Sequence, residues 1–328
     1  MKPAYRISIL FAAALLVLAV APFFGSSSLL KLSDMLESGS TGYGIFWRLR
    51  VPRVLTAFLA GASLSLGGAC FQTLFRNNLA TPYTLGVSGG ASLGVAIAAR
   101  LGLAMTFIGQ STLSLFAFAG ALLSALLVFT ISRFRGRRTT ETTLLAGVAV
   151  SFLFSSLIMF MQYIGREADL FRVVRWMVGN LAITGYRELC AMLPFCLVSA
   201  IVLFMHQREL DTLSVGDDFA ATRGVNIRRC FLAVFMAVSL MVGSVAAFCG
   251  PIGFVGMVCP HICRRLVGAP HRLLLPASLL FGGAFLVLCD TFGRTIIAPS
   301  EMPVGIITAL LGAPFFLWLL FKKRVVSG

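Results

Sequence analysis

A chain of 328 residues that is 58% hydrophobic and only 12% charged carries more apolar and less charged side chain than a soluble domain of this length needs. Its mean hydropathy of +0.94 reads as a polytopic helical membrane protein. The apolar runs are continuous rather than alternating, which argues against a β-barrel. The formal charge of +15 lies in short clusters between those runs, as in loops flanking spans rather than on a nucleic-acid-binding face.

About 20 apolar residues cross a bilayer as a helix. Ten runs qualify, at 7–25, 51–73, 86–107, 112–132, 142–163, 188–205, 230–249, 253–265, 273–292 and 303–321. The first follows Lys2 and Arg6 as a signal peptide would, but its length and the nine runs after it read as a first span. The second opens at "WRLRVPR", which gathers Arg48, Arg50 and Arg53 at its mouth. The third and ninth are rich in glycine, which lets helices approach closely. The eighth is short and interrupted by Pro260. Between the fifth and sixth, 164–187 reads as a short helix ended by Gly179-Asn180. The longest polar interval, 207–228, reads as one or two surface helices, with an N-cap candidate at Ser214, acids at Asp217 and Asp218 and a stop at Gly224. No linker divides the chain, so residues 1–328 form one transmembrane domain.

Lys and Arg set the orientation. With the N-terminus inside, Lys2, Arg6, Arg76, the "RFRGRR" cluster from Arg133 to Arg138, Arg208, Arg223, Arg228, Arg229, Arg264, Arg265, Arg272, Lys322, Lys323 and Arg324 are all internal. This bias puts both termini in the cytoplasm and leaves Arg48, Arg50 and Arg53 outside. Spans two to five and seven to ten then run in opposite senses, as in an inverted repeat, although "AGASLSLGG" and "VGSVAAFCG" share little beyond small residues.

No G-x-x-x-x-G-K-[ST] phosphate loop, Ser/His/Asp arrangement or zinc-protease motif is present. Uphill transport would draw on an ion gradient or on another subunit. A gradient-driven carrier needs ionisable groups inside its spans. Asp290 is the one candidate, and it also reads as a helix-end residue paired with Arg294 one turn on. Arg100, near a span end, can snorkel. Most of the eight cysteines lie in apolar runs, as buried thiols do. Cys259 and Cys263 share a helix face around His261, but no further ligands stand nearby and no metal site is read there.

Five stretches carry a family resemblance: "LRVPRVLTAFLAGASLSLGGACFQTLFRNNLATPYTLGVSGGASLG", "LLAGVAVS", "LSVGDDFAATRGVNIRR", "GPIGFVGMVCPHICRRLVGAPHRLLLP" and "DTFGRTIIAPSEMPVGIITALLGAPFFLWLL". In order and over nearly the whole chain, they resemble the permease subunits of type II, binding-protein-dependent ABC importers for iron-siderophore, haem and vitamin B12. The resemblance implies an all-α, vitamin B12 importer permease-like fold of about ten spans in a bacterial inner membrane. It implies a homodimer or pseudo-dimer with a central pathway, two ATPase copies below and a periplasmic or lipid-anchored binding protein above. The chain itself would be no enzyme and hold no cofactor, ATP and Mg being used by the partner.

The resemblance also assigns residues. Arg50, Arg53 and Arg294 would pair with glutamates on the two lobes of the binding protein, for which a bidentate guanidinium is suited; the alternative is contact with lipid headgroups. Asp217, Asp218, Phe219, Ala221, Arg223 and Gly224 would form coupling helices seated in the ATPase; the alternative is a solvated amphipathic loop. Thr139, Thr140, Thr142 and Thr143 would form a cytoplasmic gate, with Glu141 either in it or capping the helix start. Met159, Met161, Gln162 and Trp176 are pathway candidates, although Met at helical spacing also serves as core. His261 matches the family's eighth span and need not be a ligand. The transported chelate reads first as an iron-siderophore, with haem or vitamin B12 in the same machinery as alternatives. A gradient-driven carrier and a purely structural membrane scaffold are the remaining classes.

Overall fold

The computed structural model describes residues 3–25, 37, 40–103, 106–107, 110–134 and 140–325. Long apolar helices dominate: α1 (Pro3–Val20), α2 (Thr41–Ile45), α3 (Val51–Leu74), α4 (Val87–Arg100), α5 (Thr112–Phe134), α6 (Thr140–Ile164) and α7 (Glu167–Met177). They are followed by α8 (Arg187–Met205), α9 (Gln207–Val215), α10 (Asp217–Thr222), α11 (Ile227–Cys249), α12 (Val255–Val267), α13 (His271–Thr295) and α14 (Val304–Val325). A two-residue ladder pairs Thr106–Phe107 with Gln110–Ser111.

Each of the ten apolar runs holds a helix, and seven helices among the described residues are long and apolar enough to cross a membrane. Two runs depart from expectation. The run at 86–107 is helical only over α4, about 21 Å long; Leu101 and Gly102, the latter at φ +66°, turn the chain out. Within 253–265 the helix begins at Val255, after Phe254 at φ +66°, and α12 is about 20 Å long.

Helices α3 and α13 form the most extensive packing in the bundle, antiparallel and in contact along their length. They can do so because glycines face each other: a Cβ on Gly61 would stand 2.3 Å from the Gly282 carbonyl oxygen. α3 meets α12 in the same way, a Cβ on Gly68 falling 1.8 Å from the Gly256 oxygen. Near the end of α3, Phe71 stacks on Phe235 and meets Phe75 edge-on, forming an aromatic knot with α11. The outer helices stay apolar outward. Leu145, Phe152, Met159 and Tyr163 form an exposed stripe along α6, which suits lipid or a neighbouring subunit rather than water.

Candidate functional site

Two polar assemblies stand at opposite ends of the α3–α13 pair. α2, the π-helical turn Phe46–Arg50 and α3 run as one helix from Thr41 to Leu74. Arg50 and Arg53, three residues apart, share a face of it. Arg53 is a fork: Nε and Nη2 donate to Asp290 Oδ1 at 3.1 and 2.9 Å, and Nη1 donates to Glu301 Oε2 at 2.6 Å. Arg294 Nε pairs with Asp290 Oδ2 at 3.0 Å, and its Nη1 donates to the Phe24 carbonyl at 3.1 Å. Arg50 Nη1 donates to the Phe23 carbonyl at 3.1 Å. Arg50 and Arg294 thus take carbonyls where α1 and its 3-10 turn (Ala21–Phe23) end, groups with no partner inside the helix.

Arg50, Arg53, Asp290 and Arg294 are all buried, Arg53 the most open of them at 8% exposed. The arginines that the resemblance turns toward a binding protein are therefore engaged, in this chain alone, with its own carboxylates and carbonyls. The exposed arginine of "WRLRVPR" is Arg48. Around it Tyr43, Phe46 and Trp47 pack ring on ring, an aromatic belt of the kind found at membrane interfaces. Asp290 is indeed the partner of Arg294, and it is shared with Arg53.

At the other end α9 packs on the ends of both α3 and α13, and α10 packs on α9 and α11. α9 runs through Ser214, whose hydroxyl donates back to the Asp211 carbonyl at 2.6 Å, so Ser214 is not the N-cap; the break comes at Gly216. Gly224, at φ +76°, ends α10 as expected. Ala220 is the buried anchor of α10, while Asp217, Asp218, Phe219, Ala221, Arg223 and Gly224 are exposed. The Arg223 guanidinium lies 5.2 Å from the Phe219 ring centroid. A cleft of about 510 Å³ beside them is lined by Arg208, Arg223 and Arg229. Asp217 pairs with Arg76, which sits at φ 45° just past α3.

Behind this exposed element a relay runs from the part-exposed Asp211 to the buried His271 and Thr73. Asp211 Oδ1 accepts from the His271 backbone N–H at 2.8 Å and lies 2.6 Å from His271 Nδ1; His271 Nε2 is 2.8 Å from Thr73 Oγ1. Beside Thr73, Gln72 accepts from Arg264 and donates to the Met257 carbonyl at 3.2 Å. The sequence reading missed Asp211, Thr73, Gln72 and His271 as site residues, and Glu301 with them. The only signal was polar residues at the ends of apolar runs.

The remaining candidates do not converge on one site. Thr139 lies outside the described residues, as do the side chains of Thr140 and Glu141; Thr142 is half-buried and Thr143 buried in the first turn of α6. Met159 is exposed on the α6 stripe, and Gln162 and Met161 are half-buried beyond it. Trp176 lines a separate cleft of about 460 Å³ with Arg172, Arg175 and Glu188. Cys259 and Cys263 are buried on one face of α12, while His261 meets the Phe315 ring. Of the eight cysteines, Cys190 is exposed.

A bundle of apolar helices with polar assemblies at both ends is the body of a polytopic membrane protein. Residues 10–322 match the FecCD transport family, and the chain belongs to that family. It is 36% identical over 321 residues to the hemin transport system permease protein HmuU of Yersinia pestis, covering 94% of this chain and 95% of that protein. It is 36% identical over 300 residues to the vitamin B12 import system permease protein BtuC of Vibrio cholerae, covering 90% and 88%. A solved structure described as an inward-facing conformation of a metal-chelate type ABC transporter matches with a TM-score of 0.85 at 30% identity, over 98% of this chain and all of that one. The chain is thus an ABC permease, a membrane-spanning transport subunit whose ATPase is a separate protein.

Proposed function

We propose that this chain is the permease of an ATP-driven, binding-protein-dependent importer that carries an iron-siderophore or related metal chelate into the cytoplasm by alternating access. It works as a homodimer in a bacterial inner membrane with both termini cytoplasmic. Two ATPase copies seat on α9–α10, and ATP binding and hydrolysis there bias which side of the pathway opens. The binding protein docks at the arginine end. Of the five charged side chains gathered there, the three arginines outnumber Asp290 and Glu301, so the end attracts carboxylates even with its guanidinium groups engaged.

The observation that carries this reading is the exposed surface of α10, projecting from the bundle on a buried anchor. A gradient-driven carrier is the weaker reading, because both oxygens of Asp290 are taken by guanidinium groups. The chain is 36% identical to a haem permease and 36 to 40% identical to cobalamin and vitamin B12 permeases, which supports metal chelates as a class and selects no member.

The test is ATP hydrolysis by the purified chain in lipid, alone and with its proposed ATPase partner. Hydrolysis is expected only in the mixture and is lost in an Asp217→Ala, Asp218→Ala, Phe219→Ala variant. Binding protein loaded with ferric siderophore, haem or cobalamin then identifies the substrate by stimulation. Uptake driven by a proton or sodium gradient, with no complex to any ATPase, overturns the proposal.

A further inference from the structure

The two polar assemblies are built on the same two helices. α3 carries Arg53 near one end and Thr73 near the other; α13 carries Asp290 and Arg294 near one end and His271 at the other. About 30 Å of helix separates the two assemblies. Between them the helices are held backbone to backbone at Gly61 and Gly282, where neither can slide without a clash. At one end they are cross-tied by Arg53 and Asp290, at the other by Thr73 and His271. Any rigid displacement imposed at one end of this pair is therefore felt at the other.

Among the described residues the α9–α10 element reaches the pair through two polar links, one at Arg76 just past α3 and one at His271, the first residue of α13. The outer one, Asp217–Arg76, is between exposed side chains and is weak. The inner one is the Asp211–His271–Thr73 relay, in which a part-exposed Asp211 side chain meets a His271 only 2% exposed and a buried Thr73. Asp211 accepts from both the ring and the backbone of His271, which fixes the ring against α9 as well as against Thr73. A carboxylate only accepts, so Nδ1 carries the hydrogen facing Asp211.

We propose that this relay is the joint through which movement of α9–α10 is passed to the α3–α13 pair, with His271 as its positioning residue. The inference rests on the reading of α9–α10 as the ATPase-docking element. Docking occupies α10; the relay decides whether docking moves the bundle.

The experiment reconstitutes the chain in lipid with its ATPase and loaded binding protein, as wild type and as Thr73→Val, His271→Gln, Asp211→Asn and the conservative Thr73→Ser. Three quantities are read: ATPase affinity, stimulation of hydrolysis by the loaded binding protein, and substrate carried per ATP. The first three variants are expected to keep ATPase affinity and lose about tenfold in substrate per ATP, while Thr73→Ser keeps the wild-type ratio. A merely structural contact would lower the yield of folded chain and leave that ratio unchanged. ATPase recruitment with a wild-type ratio in Thr73→Val and His271→Gln overturns the joint alone. Failure of the wild-type chain to recruit the ATPase overturns the docking reading and the joint with it.

Discussion

Arg53 is fully committed: two of its nitrogens face Asp290 and a third faces Glu301. The two carboxylates differ in what they hold. Asp290 is buried and shared by two guanidinium groups, whereas the Glu301 side chain is one-third exposed. Removing one member of a buried ion pair leaves an uncompensated charge. Asp290→Asn is therefore expected to cost about 3 kcal/mol, and Glu301→Gln no more than about 1 kcal/mol. Thermal unfolding of the two variants in the same detergent checks the ordering. Equal losses would mean that Asp290 is not the centre of the cluster. Two of the three arginines at the mouth of that span, Arg50 and Arg53, are explained locally, because the mouth holds two carboxylates and the carbonyls that end α1, while Arg48 stays exposed.

Helices are the scale at which the sequence was most legible. Hydropathy located 51–73 and 142–163 to within two residues of α3 and α6, because a long apolar run has few alternatives to a helix. It failed at 101–107, where the chain stays apolar but turns at Gly102, and at Ser214, whose hydroxyl bonds inside the helix it was expected to start. It also could not pair helices. Arg53 and Asp290 are 237 residues apart, Thr73 and His271 198, and no local pattern reports such a contact. Glycine content did forecast close packing, and α13 gives it a test. A Cβ on Gly282 would stand 2.2 Å from that of Ser65, whereas one on Gly44 meets nothing within 4 Å. Gly282→Ala is expected to destabilise the bundle by about 2 kcal/mol, and Gly44→Ala to change little. Folded yield by size-exclusion chromatography separates them; comparable yields would mean that α3 and α13 do not need this crossing.

For the whole molecule, orientation decides which assembly meets which partner. The cationic loops gathered around α9–α10 favour the proposed cytoplasmic placement of that end, and the positive-inside tendency is strongest for such short loops. The arginine end runs against the tendency, but its arginines are neutralised in part by Asp290 and Glu301, so they weigh less than their number implies. A labelling experiment reads the outcome directly. Ser300, exposed beyond α13 at the arginine end, and Thr222, exposed on α10, each become the sole reactive position as Ser300→Cys or Thr222→Cys once the exposed Cys190 is replaced by Ser, because the other cysteines are buried. In intact spheroplasts a membrane-impermeant maleimide is expected to label Ser300→Cys at once and Thr222→Cys only after permeabilisation. The reverse order would put α9–α10 outside. It would deny an ATPase access to them and leave the arginine end to face the cytoplasm, which the transport reading cannot survive.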